Sequence, residues 1–520
     1  MKLNYKRTLC VGFAFFLICV FWQAYDNTIP MILTNKFGMS QTWSGLIMAL
    51  DNVLALFMLP LFGAISDRCK SKYGRRTPFI VVGTVLAVVF FIILSVLDGI
   101  QLKKLKDVSK IDDKAALENI YEMQKDKELM TPDGDAFVLE DKFTKEAFSA
   151  IPSQIQNEDG KTITNPDYTN YVVPSRQACA RQITHASPAT LILFIIVLLL
   201  VLISMATFRS PAVALMPDVT MKPLRSKANA IINLMGSFGG ILILGMGMVF
   251  ATSAVRNSMM SYFTYFVVVA AIMTIALVIF LLTVKEPKFV KEMQEQSVKY
   301  GLEDAEAAKE DQKAGRKLSK AERKSLLFIL ASIVLWFMGY NAVTSKYSVY
   351  ATTILHKDYN LTLIIAQAVA IISYLPVGIV ASKIGRKKTI LAGVVMLTIA
   401  FGGASFMRAD SPTMVMNCLF ALAGIAWATI NVNSFPMVVE MCSGGDVGRY
   451  TGFYYTASMA AQIVTPIFSG FLMDQLGMTV LFRYAVIFVA LAFVTMLFVK
   501  HGDSRPEAKK GLEALEGADD

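Results

Sequence analysis

Charged residues are scarce in this sequence, because Asp, Glu, Lys and Arg make up only 17% of its 520 residues. Soluble domains contain about 25% charged residues, so this composition argues against a chain that folds entirely in water. The three histidines and six cysteines show no paired spacing of the kind that zinc sites and disulfide frameworks require. The P-loop, H-E-x-x-H and nucleophile-elbow motifs are also absent. We therefore predict no enzymatic activity, no metal site and no bound cofactor.

Long hydrophobic runs dominate instead, since 55% of the residues are hydrophobic and the mean hydropathy is +0.51. A transmembrane helix needs about 20 mostly apolar residues. Such runs lie near residues 8–33, 42–65, 78–98, 189–215, 229–252, 260–284, 326–345, 362–381, 389–407, 412–434, 453–473 and 479–499. The predicted fold class is an all-α membrane protein with twelve transmembrane helices. The first run follows basic residues as a secretory signal would, but no small-x-small cleavage site follows it, so we interpret it as a helix.

Basic residues fall mainly in short loops on one side of the predicted membrane. They are Lys2, Lys6, Arg7, Arg68, Lys70, Lys72, Arg75, Arg76, Lys222, Arg225, Lys227, Lys383, Arg386, Lys387 and Lys388. Cytoplasmic loops carry such an excess of Lys and Arg, so we predict a multi-pass plasma-membrane protein with both termini in the cytoplasm. The net charge of +10 then belongs to the cytoplasmic surface of a protein in the lipid bilayer, and we predict no nucleic-acid partner.

Two polar segments interrupt the apolar runs and suggest a domain plan. Residues 1–284 are predicted to form a six-helix half, with residues 99–187 as an extracytoplasmic insertion between helices 3 and 4. This insertion is either a small folded cap or a flexible loop, and a tolerated insertion is favoured over a dedicated substrate-capture domain. Residues 285–325 are predicted to be a helical cytoplasmic linker. A second six-helix half (326–500) and a cytoplasmic tail (501–520) complete the chain.

The two halves carry matching motifs after their second helices. Gly63 to Arg76 combines glycines, an acid and a basic cluster, and Gly378 to Lys388 repeats the glycines and the basic cluster. Parallel repeats of this kind organise major facilitator transporters, so we predict two six-helix pseudo-repeats. The predicted gating residues are Asp67, Arg75, Arg76, Asp218, Arg225, Arg386, Glu440 and Arg449. An acid–arginine pair among them would latch the halves in one state, whereas the alternative is that the basic residues only set topology.

The motif from Ser66 to Ile80 resembles the helix 2–3 signature of the sucrose–proton symporters and their relatives in the glycoside–pentoside–hexuronide cation symporter family. The segments Ala214–Thr220 and Arg225–Ala230 resemble that family's helix 4–5 junction. The resemblance implies a major facilitator fold and symport of a sugar or glycoside, and it leaves Asp218 and Arg225 either a gate or part of the coupling machinery. The sodium-binding aspartate pair of the melibiose-type branch aligns with Ala55 and Leu59, which favours H⁺ over Na⁺ as the coupling ion.

Two carboxylates lie inside predicted helices, where a charge costs about 2.5–3.5 kcal/mol. Asp26 is in helix 1, beside Gln23 and Asn27, and Asp51 is in helix 2, beside Asn52. A membrane carboxylate of this kind suits proton exchange, so we predict that both take part in coupling or substrate binding. The alternative is a structural bond to a neighbouring helix or a place near an interface.

Sugars need amides and carboxylates for their hydroxyl groups and aromatic rings for their C–H faces. Residues of these types recur at helical spacing, mainly in the second half. The predicted candidates are Asn233, Trp336, Tyr340, Asn341, Gln367, Trp427, Asn431, Tyr454 and Gln462. Each one is individually as well explained by interhelical packing or interfacial anchoring, but together they indicate a polar central cavity.

The function predicted from these features is secondary active transport of a sugar or glycoside by a monomer, coupled to a cation, with H⁺ favoured and Na⁺ possible. One alternative keeps the fold and changes the cargo to a drug, nucleoside or organic acid. The scarcity of Lys and Arg in the middle of the runs argues against an acid. A second alternative is a non-transporting sensor or scaffold whose segment 99–187 binds a partner.

Overall fold

The computed structural model describes residues 3–132, 134–156, 162–220, 225–299, 319–439, 441 and 447–502. Its first helices are α1 (Tyr5–Asn35), α2 (Gln41–Asp67), α3 (Thr77–Lys104), α4 (Lys114–Gln124), α5 (Leu139–Lys142), α6 (Lys145–Ser149), α7 (Val173–Ala186), α8 (Ala189–Asp218), α9 (Arg225–Val249), α10 (Phe263–Thr283) and α11 (Glu286–Lys299). The remaining helices are α12 (Lys320–Thr353), α13 (Tyr359–Ile384), α14 (Arg386–Ala404), α15 (Thr413–Val439), α16 (Val447–Leu476) and α17 (Val480–Leu497). Strands β1 (Leu129–Met130) and β2 (Ala136–Phe137) form one antiparallel hairpin, and β3 (Gln154–Gln156) and β4 (Thr162–Thr164) form another.

Twelve of these helices match the predicted membrane spans. Within the described residues, eleven helices are long and apolar enough to cross a membrane: α1–α3, α8–α10, α12 and α14–α17. The twelfth is α13, whose apolar stretch Tyr359–Tyr374 is shorter but lies within a helix of 26 residues. That helix is about 39 Å long at 1.5 Å per residue, which exceeds the thickness of a bilayer's hydrocarbon core. The predicted fold class is confirmed.

The same helix pairs pack together in each half of the molecule. In the N-terminal half (α1–α3 and α8–α10), α1 packs on α9 and α10, α8 packs on α2 and α3, and α3 packs on α10. In the C-terminal half (α12–α17), the equivalent pairs are α12 with α16 and α17, α15 with α13 and α14, and α14 with α17. Each half has its own hydrophobic core. The pseudo-repeat suggested by the sequence motifs therefore extends to the packing.

The two halves meet mainly along two seams. Helix α2 packs against α16, and α9 packs against α13. Exchanging each helix for its equivalent in the other half converts one seam into the other. The interface thus has the approximate two-fold symmetry that rocking of one repeat against the other requires.

The described residues between 105 and 187 (105–132, 134–156 and 162–187), here called the cap, fold into a small unit at one end of the N-terminal half. Side chains from its helices, strands and loops form a separate hydrophobic core, which includes Leu117, Ile120, Phe148, Tyr168 and Cys179. The Arg176 guanidinium lies inside the cap and donates to the Val108 carbonyl (2.9 Å) and the Tyr168 hydroxyl (2.8 Å). The folded alternative, and not the flexible loop, is therefore the form that the structure shows.

The cap is fixed to the end of α1. Gln177 Nε2 donates to Asn35 Oδ1 (2.9 Å), and Arg181 Nε donates to the Gly38 carbonyl (2.9 Å). Gly38 has a φ of +65°, and a Cβ atom there would lie 2.3 Å from the Arg181 nitrogen, so no other residue fits this contact. The membrane face that carries the cap is called the cap side, and the face with the basic short loops is called the basic side.

A fully buried ion pair lies beneath the cap and explains why α3 is longer than predicted. Lys36 Nζ contacts Asp98 Oδ1 at 2.5 Å and donates to the Met260 carbonyl at 2.7 Å. The other Asp98 oxygen accepts from the Tyr262 N–H at 3.1 Å. Because these polar groups are satisfied inside the protein, α3 continues through Asp98 to Lys104, where hydropathy alone predicted its end at residue 98.

The buried thiol of Cys179 makes the stability of the cap depend on pH. Burial raises its pKa to about 11 from an ordinary 9.0, against a smaller opposing effect of the Gln124 amide. Between about pH 9 and pH 11 the unfolded cap loses this proton and the folded cap keeps it, so stability falls as pH rises. We expect proteolysis of the cap to accelerate more steeply over this range in the parent protein than in Cys179→Ala. Equal pH dependence of the two cleavage rates would contradict this assignment.

Candidate functional site

Asp26 is an exposed residue within an otherwise buried part of α1. Its side chain is exposed, although the neighbouring residues 24 and 25 are buried and so is every residue from 27 to 38. Helix α1 is therefore sealed towards the cap side immediately after Asp26. On the other side of Asp26, Trp22 and Gln23 are partly exposed, and we infer that water reaches this carboxylate through a cavity that opens on the basic side.

Hydrogen bonds and close backbone contacts seal the cap side along the α9–α13 seam. The Thr252 and Tyr359 hydroxyls lie 2.9 Å apart and are both buried. A Cβ atom on Gly247 would lie 2.5 Å from Asn360 Oδ1, so the two helices are as close as a glycine permits. The N-terminal and C-terminal halves are thus in direct contact at this end.

Two carboxylates and one arginine form the charged centre of the cavity. Asp26 of α1 interacts electrostatically with Asp51 of α2, and both interact with Arg209 of α8. Asn52 donates to Asp51 at 2.6 Å. The Arg209 guanidinium also lies over the ring of Trp22, 5.4 Å from its centroid, a cation–π contact. The structure therefore brings together the two aspartates that the sequence singled out.

Arg209 is the residue that the sequence analysis underestimated. It precedes the end of α8, at Asp218, by nine residues, which places it about 13 Å from that end. The predicted run 189–215 ends six residues after it, which placed Arg209 near the helix end. Arg209 is thus one of the few cations within the spans, and it faces both carboxylates.

A hydrogen bond joins the two halves at this level. Gln367 Nε2 of α13 donates to Gln23 Oε1 of α1 at 2.7 Å. Gly240 of α9 leaves room for the pair, since a Cβ atom there would lie 2.8 Å from Gln367 Oε1 and 3.4 Å from Gln23 Oε1. Two predicted candidates from different halves are thus direct partners.

The C-terminal half contributes aromatic rings and amides. The rings of Tyr340 and Trp427 stack with centroids 3.6 Å apart and an interplanar angle of 3°. The Asn431 side chain hydrogen-bonds to the Tyr374 hydroxyl. Among the described residues, the buried donors Trp22 Nε1 and Asn341 Nδ2 have no hydrogen-bond partner.

The other predicted cavity residues have different surroundings. Trp336 is completely buried in the core of the C-terminal half, so we remove it from the candidates for substrate contact. Tyr454 is buried and lies 3.2 Å from the Ser434 hydroxyl, whereas Gln462 bonds within its own helix, to the Ser458 carbonyl. Asn27 is buried in α1 and Asn233 is half-buried in α9.

Asp218 holds the basic cluster of the α2–α3 loop. Its two carboxylate oxygens lie 2.9 Å from Arg75 Nη2 and 2.8 Å from Arg76 Nε. All three residues belong to the N-terminal half, so in this state the pairs join elements of one half. The expectation that this arginine cluster latches the two halves together is therefore not met here.

Glu286 organises the same loop and was missed by the sequence analysis. Its side chain is buried at the start of α11 and accepts from the backbone N–H groups of Arg75 (2.8 Å), Arg76 (2.9 Å) and Thr77 (2.8 Å). It thereby caps the N-terminus of α3, where a negative charge is favoured. Gly74 has a φ of +109° and lies so close to Glu286 that a Cβ atom could not be accommodated. From the sequence alone, the only signal for this contact was an acid at the start of a polar segment.

The remaining gating candidates are described only in part. Glu440 lies outside the described residues, and so do the side chains of Asp67, Arg225 and Arg449. Arg386 begins α14 directly after Gly385, which has a φ of +96°. Gly74, which also has a positive φ, lies shortly before α3 in the N-terminal half.

Comparison with known families agrees with this architecture. A family model described as Major Facilitator Superfamily matches residues 178–440 and 358–517. A second model, described as MFS/sugar transport protein, matches residues 10–97.

Curated relatives match over short segments. Sucrose transport protein SUC4 of Arabidopsis thaliana is 48% identical over 50 residues, which cover 10% of each chain. SUC3 of the same plant is 40% identical over 65 residues, covering 12% of this chain and 11% of the relative. Solute carrier family 45 member 4 of Mus musculus is 33% identical over 75 residues, covering 14% and 10%. The matched segments thus span about a tenth of each relative.

Solved structures match over nearly the whole chain. The inward open xylose transporter XylE from E. coli has a TM-score of 0.59 at 15% identity and covers 98% of this chain and 100% of its own. A D-xylose-proton symporter has a TM-score of 0.58 at 16% identity, with 96% and 99% covered. At these identities the likeness shows the fold alone. The family model, which covers more than half of the sequence, and the twelve-helix pseudo-repeat together show that this chain is a transporter, and not an enzyme, of the Major Facilitator Superfamily.

Proposed function

We propose that the protein is a secondary active transporter that carries a neutral sugar or glycoside together with a proton, by alternating access between its two halves. The proposal rests on the residues at the centre of the molecule, where the two halves meet. There Gln23 and Gln367 join the halves, and the cavity reaches Asp26 from the basic side only. A site where the halves meet, open to one face at a time, is what alternating access needs.

The chemistry of the centre favours a polyhydroxylated ring. The amides of Gln23, Gln367 and Asn431 both donate and accept hydrogen bonds, as sugar hydroxyl groups do. The stacked rings of Tyr340 and Trp427 offer an apolar face to sugar C–H groups. The names of the relatives point the same way, since SUC3 and SUC4 are sucrose transport proteins.

The balance of charge supports coupling to a cation. Asp26 and Asp51 share one arginine, Arg209, so the three groups together carry one uncompensated negative charge when both acids are ionised. In a medium of low dielectric constant such a charge requires a partner. A proton supplies it directly, whereas the positions of the sodium-binding pair are Ala55 and Leu59. The same surplus of negative charge argues against an organic acid as cargo.

The orientation follows from the basic loops. If the basic side is cytoplasmic, as the Lys and Arg distribution predicts, then this structure is closed to the outside and open to the cytoplasm. We expect the protein to act as a monomer in the plasma membrane, since each monomer contains both halves and a complete central site.

The experiment that tests the proposed function is uptake into proteoliposomes. Purified protein is reconstituted and offered radiolabelled sucrose, maltose, xylose and glucose, with an imposed proton gradient or an imposed sodium gradient. We expect one or more saccharides to accumulate above equilibrium with the proton gradient and to stop doing so when the gradient is dissipated. If no saccharide enters under either gradient, the cargo is not a sugar.

Removing either central carboxylate should uncouple transport. With Asp26→Asn or Asp51→Asn, one acid remains to pair with Arg209, and the centre no longer needs a proton to be neutral. We expect concentrative uptake to be lost, while counterflow exchange of the same sugar, which needs no net proton movement, is retained. Counterflow also controls for folding. Accumulation at the parent level in both variants would refute the coupling role.

The Asp218 carboxylate is expected to stabilise the basic side and to be needed for gating. Asp218→Asn removes the charge from two charge-assisted contacts, with Arg75 and Arg76, and should lower stability by about 2 kcal/mol. Thermal unfolding in detergent measures the loss of stability, and the uptake rate measures the effect on gating. Glu295→Gln is a matched control, because among the described residues Glu295 pairs with Lys291 alone, at an exposed position, and such pairs contribute little. Equal effects of the two substitutions would count against a specific role for Asp218.

A further inference from the structure

The α2–α16 seam contains two charged residues at its cap-side end that play no part in the central site. Lys346, near the end of α12, is 2% exposed, and Asp474, near the end of α16, is half-buried. Both belong to the C-terminal half. Their hydrogen-bond partners belong to the N-terminal half, at the start of α2.

Each charge faces a backbone group of the opposite polarity. Lys346 Nζ donates to the Gln41 carbonyl at 2.9 Å and to Gln41 Oε1 at 3.4 Å. Asp474 Oδ2 accepts from the Thr42 N–H at 3.0 Å and from the Thr42 hydroxyl. Asp474 thereby satisfies a free N–H group in the first turn of α2, at the positive end of the helix. A helix cap is thus supplied across the interface between the halves.

Backbone contacts keep this end of the seam closely packed. A Cβ atom on Gly45 would lie 2.4 Å from the Pro466 carbonyl oxygen, and one on Gly470 would lie 2.9 Å from the Gln41 carbonyl oxygen. Closing the seam therefore removes water from Lys346. A buried ammonium needs compensation, and Asp474 lies close enough to interact with it electrostatically.

We propose that Gln41, Thr42, Lys346 and Asp474 form a cap-side latch, which holds the two halves together in the cap-side-closed state and must release for the cap side to open. In the closed state Asp474 has two functions: it caps α2 and compensates the buried charge of Lys346. In the open state water solvates both side chains, so the latch favours closure. This proposal concerns the conformational equilibrium and does not depend on the identity of the cargo.

The latch is tested by a distance measurement on the full-length chain, without substrate. Spin labels are attached at Phe263→Cys and Met414→Cys, in a chain whose six native cysteines are replaced by alanine. These positions are exposed at the cap-side ends of α10 and α15, in different halves. Pulsed electron spin resonance then gives the populations of short and long distances, which report the closed and open states of the cap side.

Asp474→Asn leaves Lys346 buried without a compensating charge, so we expect the ratio of open to closed molecules to rise on the order of tenfold, the size expected for the loss of one charge-assisted hydrogen bond. Adding Lys346→Met to Asp474→Asn removes the uncompensated charge and should return the ratio towards that of the parent. The exchange of Lys346→Asp with Asp474→Lys places each charge against the wrong backbone group and should favour the open state at least as strongly.

Asp113→Asn is the matched control, because Asp113 caps α4 inside the cap and touches neither seam. We expect it to leave the ratio unchanged. The proposal is overturned if Asp474→Asn has the same distance distribution as the parent, or if the double substitution is as open as Asp474→Asn alone. If Asp474→Asn fails to fold, the exchanged pair decides, because a closed population equal to that of the parent overturns the proposal as well.

Discussion

Every charge inside this protein has to be compensated within the protein, because lipid offers neither water nor counter-ions. Lys36 and Asp98 meet this requirement with a fully buried ion pair, and Glu286 meets it by capping α3. The central site meets it only in part, since one arginine faces two carboxylates. Among the described residues, these structural charges are paired, whereas the balance is incomplete at the central site, where substrate and ion are expected to bind.

The approximate symmetry of the halves explains how the interface changes without disturbing either core. Each half keeps its own hydrophobic cluster, and the two seams, α2 with α16 and α9 with α13, are equivalent. Both seams are closed by glycine contacts at the cap side, at Gly45 and Gly247. Small residues allow backbones to approach and separate with few side chains to rearrange. Two halves with separate cores can therefore rock against each other along these glycine-lined seams.

Much of the architecture was predictable from the sequence, because it depends on local features. The length of the apolar runs indicated twelve helices, and the glycines and basic residues around Gly74 and Gly385 indicated the repeat. That Arg209 faces both carboxylates and that Glu286 caps α3 was not predictable, since the first depends on depth in the membrane and the second on a contact more than 200 residues apart in sequence. The fold of the cap was equally hidden, because its core draws single apolar residues from many short elements.

The attachment of the cap has a practical consequence for observing this protein at work. The bonds of Gln177 and Arg181 fix it to the end of α1, whereas Gly134 approaches the backbone of Gly477 in the C-terminal half without a side-chain bond, so we expect the cap to turn with the N-terminal half. A nanobody raised against the cap would then add mass and shape outside the bilayer. In electron cryomicroscopy such a handle would align particles on one half and reveal directly how far the other half rotates.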